Sequence, residues 1–436
     1  VHIEDKIKEF VLGQGIDVVG IAGPERLDGP PSLDLDYTMP GARSIVVMAI
    51  PMDVDAIYKF LSKESPTPHN VDQVHANQRM HQVCNDLADY ITSLGHRAAV
   101  VPPNNTYRRS LDVFSTHPSF SHRFGAIASG IAGQGWSGNV MTEEYGAAIH
   151  LGTVLTDANL VSDPTMPPRY FVDGYCSKCK LCVRTCVASM FEENEEDYIL
   201  LNGELHPRAR RRNIDLCNAS CFGLHALSED KKWSTWGRHW IKGWIGRQPP
   251  AGRLTIRRDL MLRGGTSGDA TPRFDFIRRE GKLLFDRELL AELPKPEELP
   301  DDQQEMDHIL SRFQELVGTW GRCKDPNVLT CGQCALVCGP THKETTSRFN
   351  ALVDGGIVVP GTGDGEMVKA RDYADAVKLR ESNSRRASTF EIAKDSLASS
   401  TLWHRYYFGL EPRSILQGWL YERKRRKAVE RYLVAP

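Results

Sequence analysis

The chain has 436 residues, of which 41% are hydrophobic and 25% charged, with a formal net charge of −2 at pH 7. That length exceeds one ordinary core and predicts two or three packed units. The near-neutral balance excludes a general attraction to nucleic acid or anionic lipid, and no run approaches the ~18 apolar residues of a membrane-spanning helix. The chain begins at Val1, which leaves the compartment open between cytoplasmic and exported with the signal removed.

The first elements read in order as helix, strand, loop and strand. Ile3, Ile7, Phe10 and Val11 recur at helical spacing, with Gly13 or Gly15 as the stop. Val18–Ala22 and Ser44–Ile50 are short apolar runs, separated by the Pro30-Pro31 and Pro40-Gly41 loops. Residues 70–94 carry Val71, Val74, Met80, Val83, Leu87 and Ile91 on one helical face, and Gly95 ends it. Ala98–Val101 and Ala147–Leu155 complete the strands. Alternating helices and strands predict an α/β domain over residues 1–165. Residues 166–345 form a second unit holding the cysteine motifs around a long insertion of about 190–320, and residues 346–436 a polar, helical extension ending in the basic run Arg423–Lys427.

Between two of those strands lies Phe124–Asn139, with five glycines that let backbone approach a large flat ligand or another helix closely. Gly133-Gln-Gly135-Trp-Ser-Gly138 matches the dinucleotide fingerprint by spacing only. No clean strand precedes it and no acidic residue follows at the required distance, so that reading is rejected. Arg208-Ala-Arg-Arg-Arg212 reads as a solvated basic face, with docking of an acidic electron donor as the alternative. Trp233, Trp236, Trp240 and Trp244 fall at helical spacing, as core or as a cavity wall.

The most specific signal is Cys176-x2-Cys179-x2-Cys182-x3-Cys186. This is the bacterial ferredoxin spacing, in which three thiolates hold one [4Fe-4S] cluster and the fourth reaches to another. Cys331-x2-Cys334-x3-Cys338 is its partner. The rule assigns Cys176, Cys179, Cys182 and Cys338 to one cluster, and Cys186, Cys331 and Cys334 to the other. Cys323 is the first choice for the missing thiolate, with Cys217 and Cys221 as alternatives; Cys84 stands alone and reads as core. Such clustering in a long chain favours metal ligation over disulfides. Two clusters need far fewer residues than this chain has, which predicts a second redox centre receiving the electrons.

Gly125–Trp136, Glu144-Tyr-Gly146, Gly152–Asp157 and the double cysteine motif together resemble cobalamin-dependent reductive dehalogenases and their relatives, the epoxyqueuosine reductases. The resemblance runs from about residue 15 to about residue 345. It implies a nitroreductase-like α/β cobalamin-binding core with a ferredoxin-like two-cluster module, and cobalamin bound base-off. Gly130, Gly133, Gly135, Trp136, Gly138 and Asn139 would lie against the corrinoid. Epoxyqueuosine reductases carry an acidic proton donor in a pattern like Asp-x2-Pro-x3-Glu-Arg, and Thr116–Arg123 has no carboxylate. The expectation is therefore a reductive dehalogenase acting on a small hydrophobic organohalide, fed by an external low-potential donor such as a ferredoxin, a flavodoxin or a membrane-bound carrier. Tyr107, beside Arg108 and Arg109, is the expected proton donor, and His150 stands where many relatives carry a basic residue. The alternatives are an epoxyqueuosine reductase-like tRNA-modifying enzyme and a two-cluster electron-transfer protein without corrinoid.

Overall fold

A computed structural model describes residues 2–101, 118–165, 176, 178–212, 217, 220, 225–237, 240, 331–362, 366–383 and 412–434. Helix α1 (Ile3–Gly13) leads into β1 (Val18–Ala22), β2 (Ser44–Pro51) follows the proline loops, and α2 (Val54–Leu61) and α3 (Thr67–Ser93) lead to β3 (Ala98–Val101). Gly15 and Gly95, just beyond α1 and α3, have φ of 75° and 92°, the left-handed conformation that stops a helix. Helix α3 starts three residues earlier than its apolar face suggests because Pro68 sits in its first turn, where a missing N–H costs nothing. Then come α4 (His122–Ala128), the short pair β4 (Gly133–Gln134) and β5 (Val140–Met141), and β6 (Ile149–Thr156).

The main sheet has the order β1-β2-β6-β3, and each neighbouring pair is antiparallel. Strands β2 and β3 therefore run parallel with β6 inserted between them, a split crossover made by α2 and α3. Alternation sends Ile45, Val47, Ala49 and Leu155 to one face, where α4 packs Ala126 and Ile127. The opposite face, with Val46, Met48, Ile50 and Val154, meets Ile7 and Val11 of α1 and Met80, Val83, Leu87 and Ile91 of α3. Both faces are covered, which explains the unbroken apolar run of β2.

After the sheet, α5 (Leu181–Arg184) holds the first cysteine motif, and β7 (Phe191–Leu201) and β8 (Glu204–Arg211) make an antiparallel hairpin. Helix α6 (Gln333–Leu336) holds the second motif; α7 (His342–Asp354), the hairpin β9 (Ile357–Pro360) and β10 (Met367–Ala370), α8 (Tyr373–Asn383) and α9 (Pro412–Val434) follow. Trp233 and Trp236 are core rather than a helical stripe: the backbone there is irregular, and both are buried with Phe60, Leu336 and Leu352. Trp236 donates its Nε1–H to Phe60 O at 2.9 Å. Trp244 lies outside the described residues. Helix α9 packs on β7, where Arg425 bridges to Asp197 at 2.9 Å and the Tyr421 hydroxyl accepts from Leu200 N–H at 3.2 Å.

His206 of β8 is buried, and burial lowers its pKa from 6.5 to about 4. The folded state holds it neutral while the unfolded chain protonates it, so its contribution is present above pH 6.5 and is lost as the pH falls through about 4. The expected loss is about 3 kcal/mol across that window. Denaturation midpoints at pH 7 and pH 5 should separate more in the native chain than in His206→Gln.

Candidate functional site

The two cysteine motifs have the same backbone. In the first, Lys180 in the left-handed region (φ 60°) starts α5; in the second, Gly332 (φ 123°) starts α6 at the matching position. Val183 N–H donates to Lys180 O and Cys186 N–H to Val183 O; Ala335 N–H donates to Gly332 O and Cys338 N–H to Ala335 O. Each Cys-x2-Cys-x3-Cys unit is thus one turn of helix entered through a left-handed residue, and α5 and α6 pack together.

Among the described residues no cysteine is in a disulfide. Burial, followed by the neighbouring Cys338, Cys176, Cys334 and Cys179, holds the Cys182 thiol well above its ordinary range. Burial pushes Cys338 up to about 12, with Cys176 and Cys179 next in effect. Thiols gathered out of water around one another resist ionisation unless a cationic centre compensates them. Among the described residues no three His, Cys, Asp or Glu side chains converge as a single-ion site requires. A four-iron cubane instead spreads its thiolates over its corners and needs neighbouring rather than converging sulfurs. The Cys176, Cys179, Cys182 and Cys338 neighbourhood fits that group. Cys182 and Cys176 share one apolar cluster with Cys186, Cys217 and Cys334, built on Trp136, Met190 and Phe191. Cys323 and Cys221 lie outside the described residues.

The glycine-rich stretch meets this thiol set directly. Trp136 N–H donates to Cys176 Sγ at 3.3 Å, and Asn139 Nδ2 donates to Cys334 Sγ at 3.3 Å. One four-residue turn therefore touches a thiol of each motif. Its glycines serve close packing onto protein: a Cβ at Gly130, Gly135 or Gly138 would lie 2.2 Å from Pro164 O, 2.7 Å from Met141 Sδ or 2.8 Å from Arg211 Nη2. Gly133 lies in β4. Gly146 (φ 69°) explains the Glu144-Tyr-Gly146 motif, since a Cβ there would sit 2.5 Å from Cys338 O, and Ala147 N–H donates to that same oxygen at 2.9 Å. The Trp136 indole Nε1 is a buried donor without a partner among the described residues, and Lys178 Nζ lies 5.0 Å from the ring centroid.

Tyr107, Arg108 and Arg109 lie outside the described residues. His150 is buried in β6 opposite Ile50, on the face covered by α3. Tyr145 is structural: its hydroxyl donates to Asp17 Oδ2 at 2.6 Å, and burial together with that bond pushes its pKa up to about 12. Asp157 locks the end of β6 to the start of β3 by accepting from Arg97 N and Nε. Of the basic run, Arg208, Arg210 and Arg212 pair with Asp197, Glu195 and Glu192, so this face is largely neutralised and the donor-docking reading loses its charge argument. Sequence reasoning gave no separate role to Arg211, Lys178 or Arg348; Lys178 stands inside the first cysteine motif, while Arg211 and Arg348 reach the cysteines through the fold.

No family model matches the chain. Over 164 residues it is 26% identical to an epoxyqueuosine reductase of Atelocyanobacterium thalassa (isolate ALOHA), a match covering 37% of this chain and 46% of that protein. The chain thus spans less than half the length of the curated relative it matches. Among solved structures it is similar to a reductive dehalogenase of B12-dependent mechanism (15% identical, TM-score 0.38, 62% of this chain and 36% of that one). It is also similar to the epoxyqueuosine reductase of Bacillus subtilis (13% identical, TM-score 0.36, 98% of each chain). At these TM-scores the overlap is partial. All three similar proteins are oxidoreductases by name. Among the described residues no helix is long and apolar enough to cross a membrane.

Proposed function

We propose that the chain is an iron–sulfur and corrinoid-dependent reductase whose substrate is an epoxide-bearing nucleoside, as the name of its sequence relative suggests. The observation that carries the redox reading is the Trp136–Asn139 turn, which links the α/β unit to a thiol of each cysteine motif. Cys176, Cys179, Cys182 and Cys338 hold one [4Fe-4S] cluster; Cys186, Cys331, Cys334 and Cys217 hold the other. Cys217 replaces Cys323 in this assignment because it packs among the described thiols and acts, with Cys334, on the guanidinium of Arg211.

The corrinoid, when bound, supplies two-electron reducing chemistry. Trp136, whose buried Nε1 lacks a partner among the described residues, and the neighbouring turn would hold it. An epoxide reduced to an alkene takes up two electrons and two protons and releases its oxygen as water. The electrons enter from an external low-potential donor through the two thiol-bound centres.

Reductive dehalogenation of an organohalide is the second reading, favoured by one specific feature: Thr116–Arg123 offers no carboxylate as proton donor. Anaerobic protein reconstituted with iron, sulfide and cobalamin, then reduced and offered an epoxide-bearing nucleoside or a halogenated phenol, separates the two. Nucleoside turnover without halide release is expected. Halide release alone supports the second reading, and neither product together with no retained corrinoid leaves a two-cluster electron carrier.

A further inference from the structure

Strand β8 alternates its side chains across the hairpin. Arg208 and Arg210, with Arg212 just beyond, reach acidic partners on β7, while Ala209 turns into the apolar cluster that holds the cysteines and Arg211 follows it inward. Arg211 Nη2 donates to Ser137 O at 3.1 Å, and its Nε is buried without a partner among the described residues. Ser137 Oγ accepts from Asn139 Nδ2 at 3.0 Å, and that same amide reaches Cys334 Sγ. Both Cys334 and Cys217 act electrostatically on Arg211, as does the cation of Arg123.

The cations near the other thiol set are compensated. Lys178, beside Cys176, pairs with Glu196 at 2.8 Å, and Arg348, which acts on Cys338, pairs with Glu344. Arg211 has no carboxylate partner among the described residues. Direct N–H···S support is evenly shared: Trp136 N–H and Lys178 N–H serve Cys176, while Met190 N–H at 3.5 Å serves Cys186 and the Asn139 amide serves Cys334. The uncompensated charge is the asymmetry.

We propose that Arg211 sets the order in which the two clusters fill, raising the reduction potential of the one held by Cys334 and Cys217 above that of its partner. This rests on the two-cluster reading. The external donor passes one electron to an oxidised [4Fe-4S] cluster, whose net charge falls by one; no bond to the protein forms or breaks. A fixed positive charge stabilises that extra negative charge, and Asn139 adds a hydrogen bond to its thiolate. Arg211 is a positioning residue for charge, not a catalytic one.

The test is an anaerobic dithionite titration of the full reconstituted chain, followed by electron paramagnetic resonance, with iron counted in each sample. The native chain should show two separate reductions. Arg211→Met should move the higher one downward by at least tenfold in equilibrium constant, about 59 mV for one electron, and leave the lower one in place. Arg211→Lys should restore most of it, and Asn139→Leu should move the same wave in the same direction. If Arg211→Met loses iron, Asn139→Leu and Arg211→Lys carry the decision. Unmoved midpoints, or movement of the lower wave only, overturn the proposal while leaving the two-cluster reading intact. Iron for a single cluster in the native chain overturns both.

Discussion

Replacing Cys217 by serine is expected to cost the reconstituted protein half of its iron, while replacing Cys323 costs none. A [4Fe-4S] cluster requires four ligands, and the ferredoxin spacing supplies only Cys186, Cys331 and Cys334 to the second one. Cys217 packs in the same apolar cluster as Cys186 and Cys334, and it acts with Cys334 on the one guanidinium of Arg211. Serine keeps the volume but removes the soft sulfur donor, so that cluster should not assemble. Iron and acid-labile sulfide per chain, with the cluster resonance recorded after reduction, measure the effect directly. A Cys217→Ser protein with full iron and both resonances would return the assignment to Cys323 or Cys221.

The shared backbone of the two cysteine motifs was legible because short local spacing carries it: Cys176–Cys186 and Cys331–Cys338 each encode one helical turn. The strands β1, β2 and β6 were legible for a similar reason, since Val18–Ala22, Ser44–Pro51 and Ile149–Thr156 are apolar runs bounded by breakers. Their antiparallel order was not. It depends on pairs such as Met48 with Gly152 and Val100 with Val154, distant in sequence and set by what covers each face. The tryptophans at helical spacing mislead because burial of an aromatic needs a partner surface, not a helix, and Trp236 finds one on Phe60. The glycine-rich stretch was correctly marked as a place of close approach, but three of its glycines approach protein. Arg211 was hidden inside a basic run whose other arginines turn outward. Only the strand alternation, visible once β8 is paired with β7, separates it from them.

Arg348→Met is expected to destabilise the protein by about 3 kcal/mol. The arginine is among the largest fully buried side chains, donates from Nη1 to Leu336 O at 3.0 Å, and pairs with Glu344 one turn back on α7. Leu336 ends α6, so that bond satisfies a carbonyl left without an intrahelical partner and ties α7 to the second cysteine motif. Methionine fills much of the volume yet leaves the carbonyl orphaned. It also leaves Glu344 unpaired, though that carboxylate is partly exposed and its own cost is correspondingly reduced. Glu344→Gln removes the charge pair but keeps Arg348 on Leu336 O, so its loss should be clearly the smaller. Denaturant unfolding of anaerobic protein, read by tryptophan fluorescence, orders the two variants. Equal losses would mean that the ion pair, rather than the bond to the end of α6, carries the coupling. A loss below about 1 kcal/mol for Arg348→Met would remove α7 as a support of the iron–sulfur centre.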